Sequence, residues 1–191
     1  MIVGFYEFMR AGHVKRWHVV NTTREQSIAE HSFLVTMIAL ELNKCFDEEG
    51  VVYDILPIVM GGLFHDISEV RYGDIPTPGK QFLKKVTNNP GIFSDIEAEL
   101  LPEMPYAQVE VTGFAAQIIK MADIIEAAHW IRDNGAGTHA KIVADRAWID
   151  VERLTFEYSQ KTGVDWYAPV NKVLMSLGMP YVYKDVAITP P

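Results

Sequence analysis

The chain has 191 residues, 49% hydrophobic and 22% charged, with a formal net charge of −8. That length and balance fit one globular domain over 1–191 and exclude a disordered or fibrous chain. The acidic balance argues against a nonspecific duplex-DNA binder, whose affinity comes from a basic surface that releases counterions.

The N-terminus, Met1 to Phe5, lacks the basic flank and cleavage site of a signal peptide. No run of about 18 uncharged apolar residues follows, so neither a membrane nor a nucleic-acid partner is expected and the location reads as cytoplasmic. The single cysteine, Cys45, cannot form an internal disulfide and reads as structural.

In chain order, Ile2 to Arg10 predicts a short helix ended near Gly12, followed by an irregular basic segment from His13 to Arg24. A longer helix is predicted from Ser27 or Ile28 to Cys45. Its apolar residues, among them Ile28, Phe33, Val35, Ile38 and Leu42, cover much of the circumference, which predicts deep burial. Ile55 to Asp66 is nearly uniformly apolar and reads as a central helix ending in charge.

The run Tyr72 to Gly79 holds Pro76 and Pro78, which lack donors and restrict the residues before them, so it reads as a rigid loop. Further helices are expected at Phe93–Leu101, Val109–Arg132, His139–Lys161 and Trp166–Leu177, then an irregular tail. Strand alternation is weak throughout, which makes the chain all-α, a single helical bundle with its motifs within about 10–130 and its C-terminal helices over 139–178. Trp148 and Trp166 are read as exposed aromatics suited to self-association.

The main chemical signal is His31, the adjacent pair His65 and Asp66, and Asp123, each inside a strongly apolar helical stretch. Taken singly, each is satisfied by an ordinary hydrogen bond in the core. Taken together, several buried ionisable groups on separate helices are best satisfied by meeting around one cation. Two imidazoles and two carboxylates leave places for waters on a six-coordinate divalent ion such as Mn, Co, Fe or Ni, with Mg, Zn and a second ion also open. Such an ion polarises a phosphoryl oxygen and acidifies water, which is hydrolase chemistry.

Glu69 follows His65 by four residues and Asp66 by three, so a continued helix keeps it on the ligand face. Arg16 offers a planar fork for phosphate, and Lys80 and Lys120 add point charges, Lys120 lying three residues before Asp123. Lys15, Lys84 and Lys85 read as solvated surface.

The order His31, then His65-Asp66, then Asp123 resembles the H…HD…D signature of HD-domain phosphohydrolases. The fuller set is Arg16-Trp17, Ala29-Glu30-His31-Ser32, His65 to Val70, Gly73 to Pro78 and Lys120 with Asp123. It is similar to the YfbR-like 5′-deoxynucleotidases and the related small phage dATP triphosphohydrolases. The resemblance implies a metal site on the four residues named, with Glu69 and Asp74 in acid/base work or holding the attacking water. It implies that Trp17 packs on the sugar and leaves no room for a 2′-hydroxyl, and that Val19, Thr77 and Pro78 line the substrate pocket. It also implies a deoxynucleotide substrate, attack of water at the α-phosphorus, and a homo-oligomer.

His18 stands where the bacterial nucleotidases carry proline, which leans the expectation toward dATP rather than a monophosphate. Two other readings stay open. One is a different HD phosphodiesterase or alarmone hydrolase; the other is a nucleotide-binding module without turnover.

Overall fold

The computed structural model describes residues 6–100 and 111–184, and among these no strand occurs. Helix α1 (Tyr6–Met9) and a 3-10 turn (Arg10–Gly12) lead into an irregular segment. Then follow α2 (Ile28–Glu48), α3 (Ile55–Phe64), α4 (Glu69–Tyr72), α5 (Thr77–Val86), α6 (Ile92–Leu100), α7 (Gly113–Asn134), α8 (Gly137–Thr162) and α9 (Tyr167–Ser176). The all-α expectation holds. Expected helix ends at Ile2, Leu101 and Val109, and the tail from 185, lie outside the described residues.

Local chemistry sets the starts of the two helices that matter most. Ser27 caps α2, its hydroxyl accepting from the Glu30 N–H at 3.1 Å, in the Ser-x-x-Glu spacing of a capping box. Asp54 caps α3 by accepting from Leu56 N–H at 3.1 Å. The irregular segment between the 3-10 turn and α2 is tied down by bridges of Lys15 to Ser27 and Thr22 to Gly135, the second reaching the end of α7.

The core forms where α2, α7, α8 and α9 meet. Val35, Leu42 and Phe46 from α2 pack with Ile118, Met121 and Ile125 from α7, Val151 from α8 and Leu174 from α9. Burying such side chains contributes roughly 1.5–3 kcal/mol each. Trp166 closes this core with edge contacts to Phe46. It is 0% exposed, which corrects its reading as a surface aromatic, and Trp148 also packs partly against the core. Cys45 is buried, as expected for a structural thiol.

Two further expectations are corrected. The rigid loop ends at Pro76, and Thr77, Pro78 and Gly79 form the first turn of α5. A helix's first N–H groups have no intrahelical acceptor, so Pro78 costs no hydrogen bond there. The second concerns α2 and α3, whose apolar residues predicted burial all round. Phe33 and Met37 on α2 and Ile55, Leu56 and Leu63 on α3 are instead exposed, and among the described residues of α3 only Ile58 and Gly62 are fully buried. No helix among the described residues is long and apolar enough to cross a membrane.

Candidate metal centre and substrate site

Helix α2 carries His31, fully buried, on the face that meets α3 and α7. Helix α3 ends at His65, its C-cap, so Asp66 falls in the turn that leads to Glu69 at the start of α4. The continued helix expected through Glu69 is thus interrupted, yet the Glu69 N–H still bonds the Asp66 carbonyl at 3.0 Å and keeps the carboxylate beside the cluster. Gly62 makes the close approach of α2 and α3 possible: a β-carbon there would lie 2.7 Å from Thr36 Oγ1 and 3.0 Å from Thr36 Cα.

The four expected ligands converge. His31 Nε2 lies 3.1 Å from His65 Nε2, 3.5 Å from Asp66 Oδ2 and 3.4 Å from Asp123 Oδ1. His31, His65 and Asp66 each offer a ligand atom within 4.8 Å of the others. Asp123 joins through Oδ1 while Lys120 Nζ holds its Oδ2 at 2.8 Å.

The far ring nitrogens decide whether this donor set fits a cation. His65 Nδ1 faces the Gly62 carbonyl at 2.9 Å, and His31 Nδ1 faces Glu126 Oε2 at 2.7 Å. A carbonyl or carboxylate oxygen only accepts, so each Nδ1 carries the proton and each neutral Nε2 presents a lone pair to the other. Two lone pairs at 3.1 Å, flanked by two carboxylates, repel unless positive charge sits among them.

The titration behaviour agrees with that reading. Burial and the Arg16 charge oppose a charged His31, but hydrogen bonds accepted by the Asp123, Asp66 and Glu126 carboxylates outweigh them and raise it to about 10. A proton thus stands where a metal fits. Burial would raise the Asp123 carboxyl, but Lys120 and the His31 bond hold it far below the usual carboxylate range. Burial acts the same way on Asp66, where His65 and His31 again prevail.

Around the cluster lie groups for substrate. A cavity of about 450 Å³ opens beside it, lined by Met60, Phe64, Glu97, Ile119 and Lys120 together with His65, Asp66 and Asp123. A separate surface groove along Tyr53, Phe114 and Tyr158 lacks any such ligand set among its lining residues. Arg16 Nη1 is buried without a hydrogen-bond partner among the described residues, 3.9 Å from Asp66 Oδ2. Glu69 is 1% exposed. Lys80 donates to its Oε1 at 2.8 Å, and its Oε2 is buried and unpartnered. Burial and the Asp66 charge raise the Glu69 carboxyl to about 7 against the pull of Lys80.

The remaining expected residues are less tightly gathered. Asp74 sits in the turn before α5, 3.8 Å from His18 Nδ1, and its charge acts on Glu69. Trp17 stacks on Trp130 with 5.4 Å between centroids. Val19 is exposed, and Thr77 and Pro78 lie exposed on the first turn of α5. Lys15 pairs with Glu25 at the surface. Gln26, Glu97, Glu126 and Trp130 were not anticipated. Glu126 had a readable signal, since it continues the three-residue spacing Lys120, Asp123, Glu126 along one face of an apolar stretch.

A histidine-aspartate cluster drawn from α2, the end of α3 and α7, with cations and a carboxylate half-free of partners around it, has the donor set that suits the metal centre of an HD-domain phosphohydrolase. The family model described as 5′-deoxynucleotidase YfbR-like matches residues 5–129, and the chain belongs to that family. It is 30% identical over 160 residues to the dATP triphosphohydrolase of Cyanophage S-2L, covering 84% of this chain and 83% of that one. With the dATP triphosphohydrolase of Salmonella phage PMBT28 it shares 35% over 139 residues, 70% of this chain and 69% of the relative. A solved structure of the Cyanophage S-2L HD phosphohydrolase DatZ, bound to dA and one catalytic Zn²⁺ ion, superposes with a TM-score of 0.75. Its sequence is 26% identical, and the match covers 93% of this chain and 96% of that chain.

Proposed function

We propose that this hydrolase cleaves the 5′ phosphoester of deoxynucleotides at the α-phosphorus, with dATP as its substrate. The observation that carries the reading is the convergence of His31 Nε2 on His65 Nε2, Asp66 and Asp123, next to a buried Arg16 Nη1 and a buried Glu69 Oε2 that have no hydrogen-bond partner among the described residues. The first set suits a divalent cation. The second suits a phosphate oxygen and a water molecule.

His31, His65, Asp66 and Asp123 would hold the ion, which supplies Lewis acidity toward the phosphate when bound. Arg16 and Lys120 orient the phosphate by charge and hydrogen bonding. Glu69 Oε2 takes the proton of the attacking water while Lys80 holds Oε1 in place. The new P–O bond forms as the P–O5′ bond breaks, and Asp74 delivers the proton to the departing 5′ oxygen. Trp17 forms the sugar wall, with Val19, Thr77 and Pro78 at the base end. The products are deoxynucleoside and triphosphate, or phosphate where a monophosphate is the substrate.

The monophosphate reading keeps support from the family's description as 5′-deoxynucleotidase. A homo-oligomer fits the exposed apolar residues Phe33 and Met37 on α2 and Leu63 on α3, and light scattering reads its size.

The test is product analysis of chelator-stripped protein reloaded with Zn, Co, Mn or Mg, in ¹⁸O-water, with dATP, dAMP and their ribose counterparts. Metal-dependent deoxynucleoside release with label only in the phosphate product supports attack at phosphorus. Label in the nucleoside, or no product with any metal, rejects it.

A further inference from the structure

An unbroken hydrogen-bonded chain joins Trp17 to His31. The Trp17 indole Nε1–H donates to Gln26 Oε1 at 2.7 Å, and Gln26 Nε2 donates to Glu126 Oε1 at 2.6 Å. Glu126 Oε2 accepts from His31 Nδ1 at 2.7 Å. Gln26 and His31 are fully buried and Glu126 nearly so, which shields the chain from competing water.

The chain has only one polarity. An indole N–H can only donate, so the Gln26 amide must turn its oxygen to Trp17 and its nitrogen to Glu126. As a carboxylate, Glu126 accepts on both oxygens, so His31 carries its proton on Nδ1 and leaves Nε2 as the ligand atom. The indole donor at one end and the carboxylate at Glu126 together set the direction of every bond.

Trp17 has a strained backbone as well. Its φ of 63° lies in the left-handed region, which a bulky residue leaves unless its surroundings hold it there. Three ties do so: the indole bond to Gln26, the stack on Trp130 with planes 3° apart, and the Val20 N–H bonded to the Trp17 carbonyl at 2.9 Å. The Arg16 N–H also bonds the Gln26 carbonyl at 2.8 Å, so a single residue anchors both members of the Arg16-Trp17 pair.

We infer that Gln26 and Glu126 are positioning residues that couple the sugar wall at Trp17 to the metal ligand His31, making sugar discrimination and metal affinity interdependent. The sugar half rests on the reading of Trp17 given above; the metal half stands without it.

The chain's polarity supplies the test. Gln26→Glu sets two carboxylates against each other, and Glu126→Gln leaves one acceptor oxygen for two donors. The double exchange Gln26→Glu with Glu126→Gln restores every direction: the carboxylate at position 26 accepts from Trp17 and from the amide at 126, whose oxygen accepts from His31.

Three readouts apply to each variant. They are zinc affinity by calorimetry on stripped protein, the Trp17 indole and His31 ring ¹⁵N signals, and the ratio of kcat/KM for dATP over ATP. Each single variant is expected to lose ~10-fold or more in zinc affinity, the scale on which histidine-orienting partners act, with a shifted Trp17 indole signal and a reduced ratio. The exchange is expected to recover most of the affinity and the indole signal.

Folded single variants with unchanged zinc affinity and indole signal overturn the proposal, as does an exchange no better than either single. If the wild-type protein turns over neither nucleotide, the substrate reading has failed. Zinc affinity and the two nitrogen signals then still decide the coupling.

Discussion

Glu69 gives one carboxylate oxygen to Lys80 at 2.8 Å and keeps the other buried with no partner among the described residues. One side chain is thereby held and left able to take a proton.

From this follows a pH dependence. Burial and Asp66 favour protonated Glu69, raising it to about 7, while Lys80 favours the ionised form. As the proposed base, Glu69 must be ionised to act, so activity is expected to rise with pH through this titration, at a lower pH in metal-loaded enzyme because the added cation also favours the carboxylate. Lys80→Met removes one favouring charge and is expected to move the rising limb of kcat toward alkaline pH by about 1 unit, the size of shift a nearby charge produces. With the same metal in both proteins, a superimposable pair of profiles would remove Lys80 from this role.

Metal removal should expose the His31 proton as a stability device. Its folded value, about 10, lies above the ordinary 6.5. Protonation therefore favours the folded state fully below pH 6.5, and that stability is lost as pH rises through 10. Thermal unfolding of chelator-stripped protein should show Tm falling across this window. Zinc takes the proton's place, so its stabilising effect should grow with pH, accompanied by proton release on binding. Equal zinc-induced Tm shifts at pH 6.5 and 9 would contradict the exchange of proton for metal.

The sequence carries the ligand set because each of its members violates its surroundings: His31, His65, Asp66 and Asp123 are ionisable residues in apolar stretches, and the need for a common partner brings them together. It carries the long helix α2 as well, since the apolar residues from Ile28 to Leu42 place it from Ser27 or Ile28 to Cys45, although the Ser27 cap and the last turn to Glu48 come from the structure. What it does not carry lies where a partner is distant in sequence. Gln26 looks like any loop glutamine until Glu126 and Trp17 close on it. The α5 helix is hidden because Pro78 reads as a breaker everywhere except in a first turn. The exposed faces of α2 and α3 escape for a third reason: apolar residues all around a helix say that burial is favourable, not which neighbour supplies it.

Gly62 is a structural prediction with a functional consequence. A β-carbon there meets both the side chain and the backbone of Thr36, so Gly62→Ala must push α3 away from α2. The expected cost is about 1–3 kcal/mol, typical of overpacking in a closed core. Because His65 hangs from the end of α3 and bonds the Gly62 carbonyl at 2.9 Å, the same displacement parts its Nε2 from His31. Zinc affinity should therefore fall together with Tm. A variant with lower Tm and intact zinc affinity would mean that the metal site adjusts independently of this contact.

Asp74 differs from Glu69 in what its loss should do. It lies in the turn before α5, near His18 and within the electrostatic reach of Glu69, and the proposed mechanism gives it the proton for the departing 5′ oxygen. That proton matters most when the leaving alkoxide is strongly basic, as a nucleoside 5′ oxygen is. Asp74→Asn is expected to lower kcat on dATP by ~10²-fold or more, within the usual range for acid/base catalysis. On an aryl phosphate, whose phenolate departs without help, the loss should shrink to a few-fold. Glu69→Gln, which impairs the attacking water, should slow both substrates alike. If Asp74→Asn also slows both alike, its carboxylate serves the attack or the binding step, and the acid must be sought among the groups that line the cavity beside the cluster, Glu97 first among them.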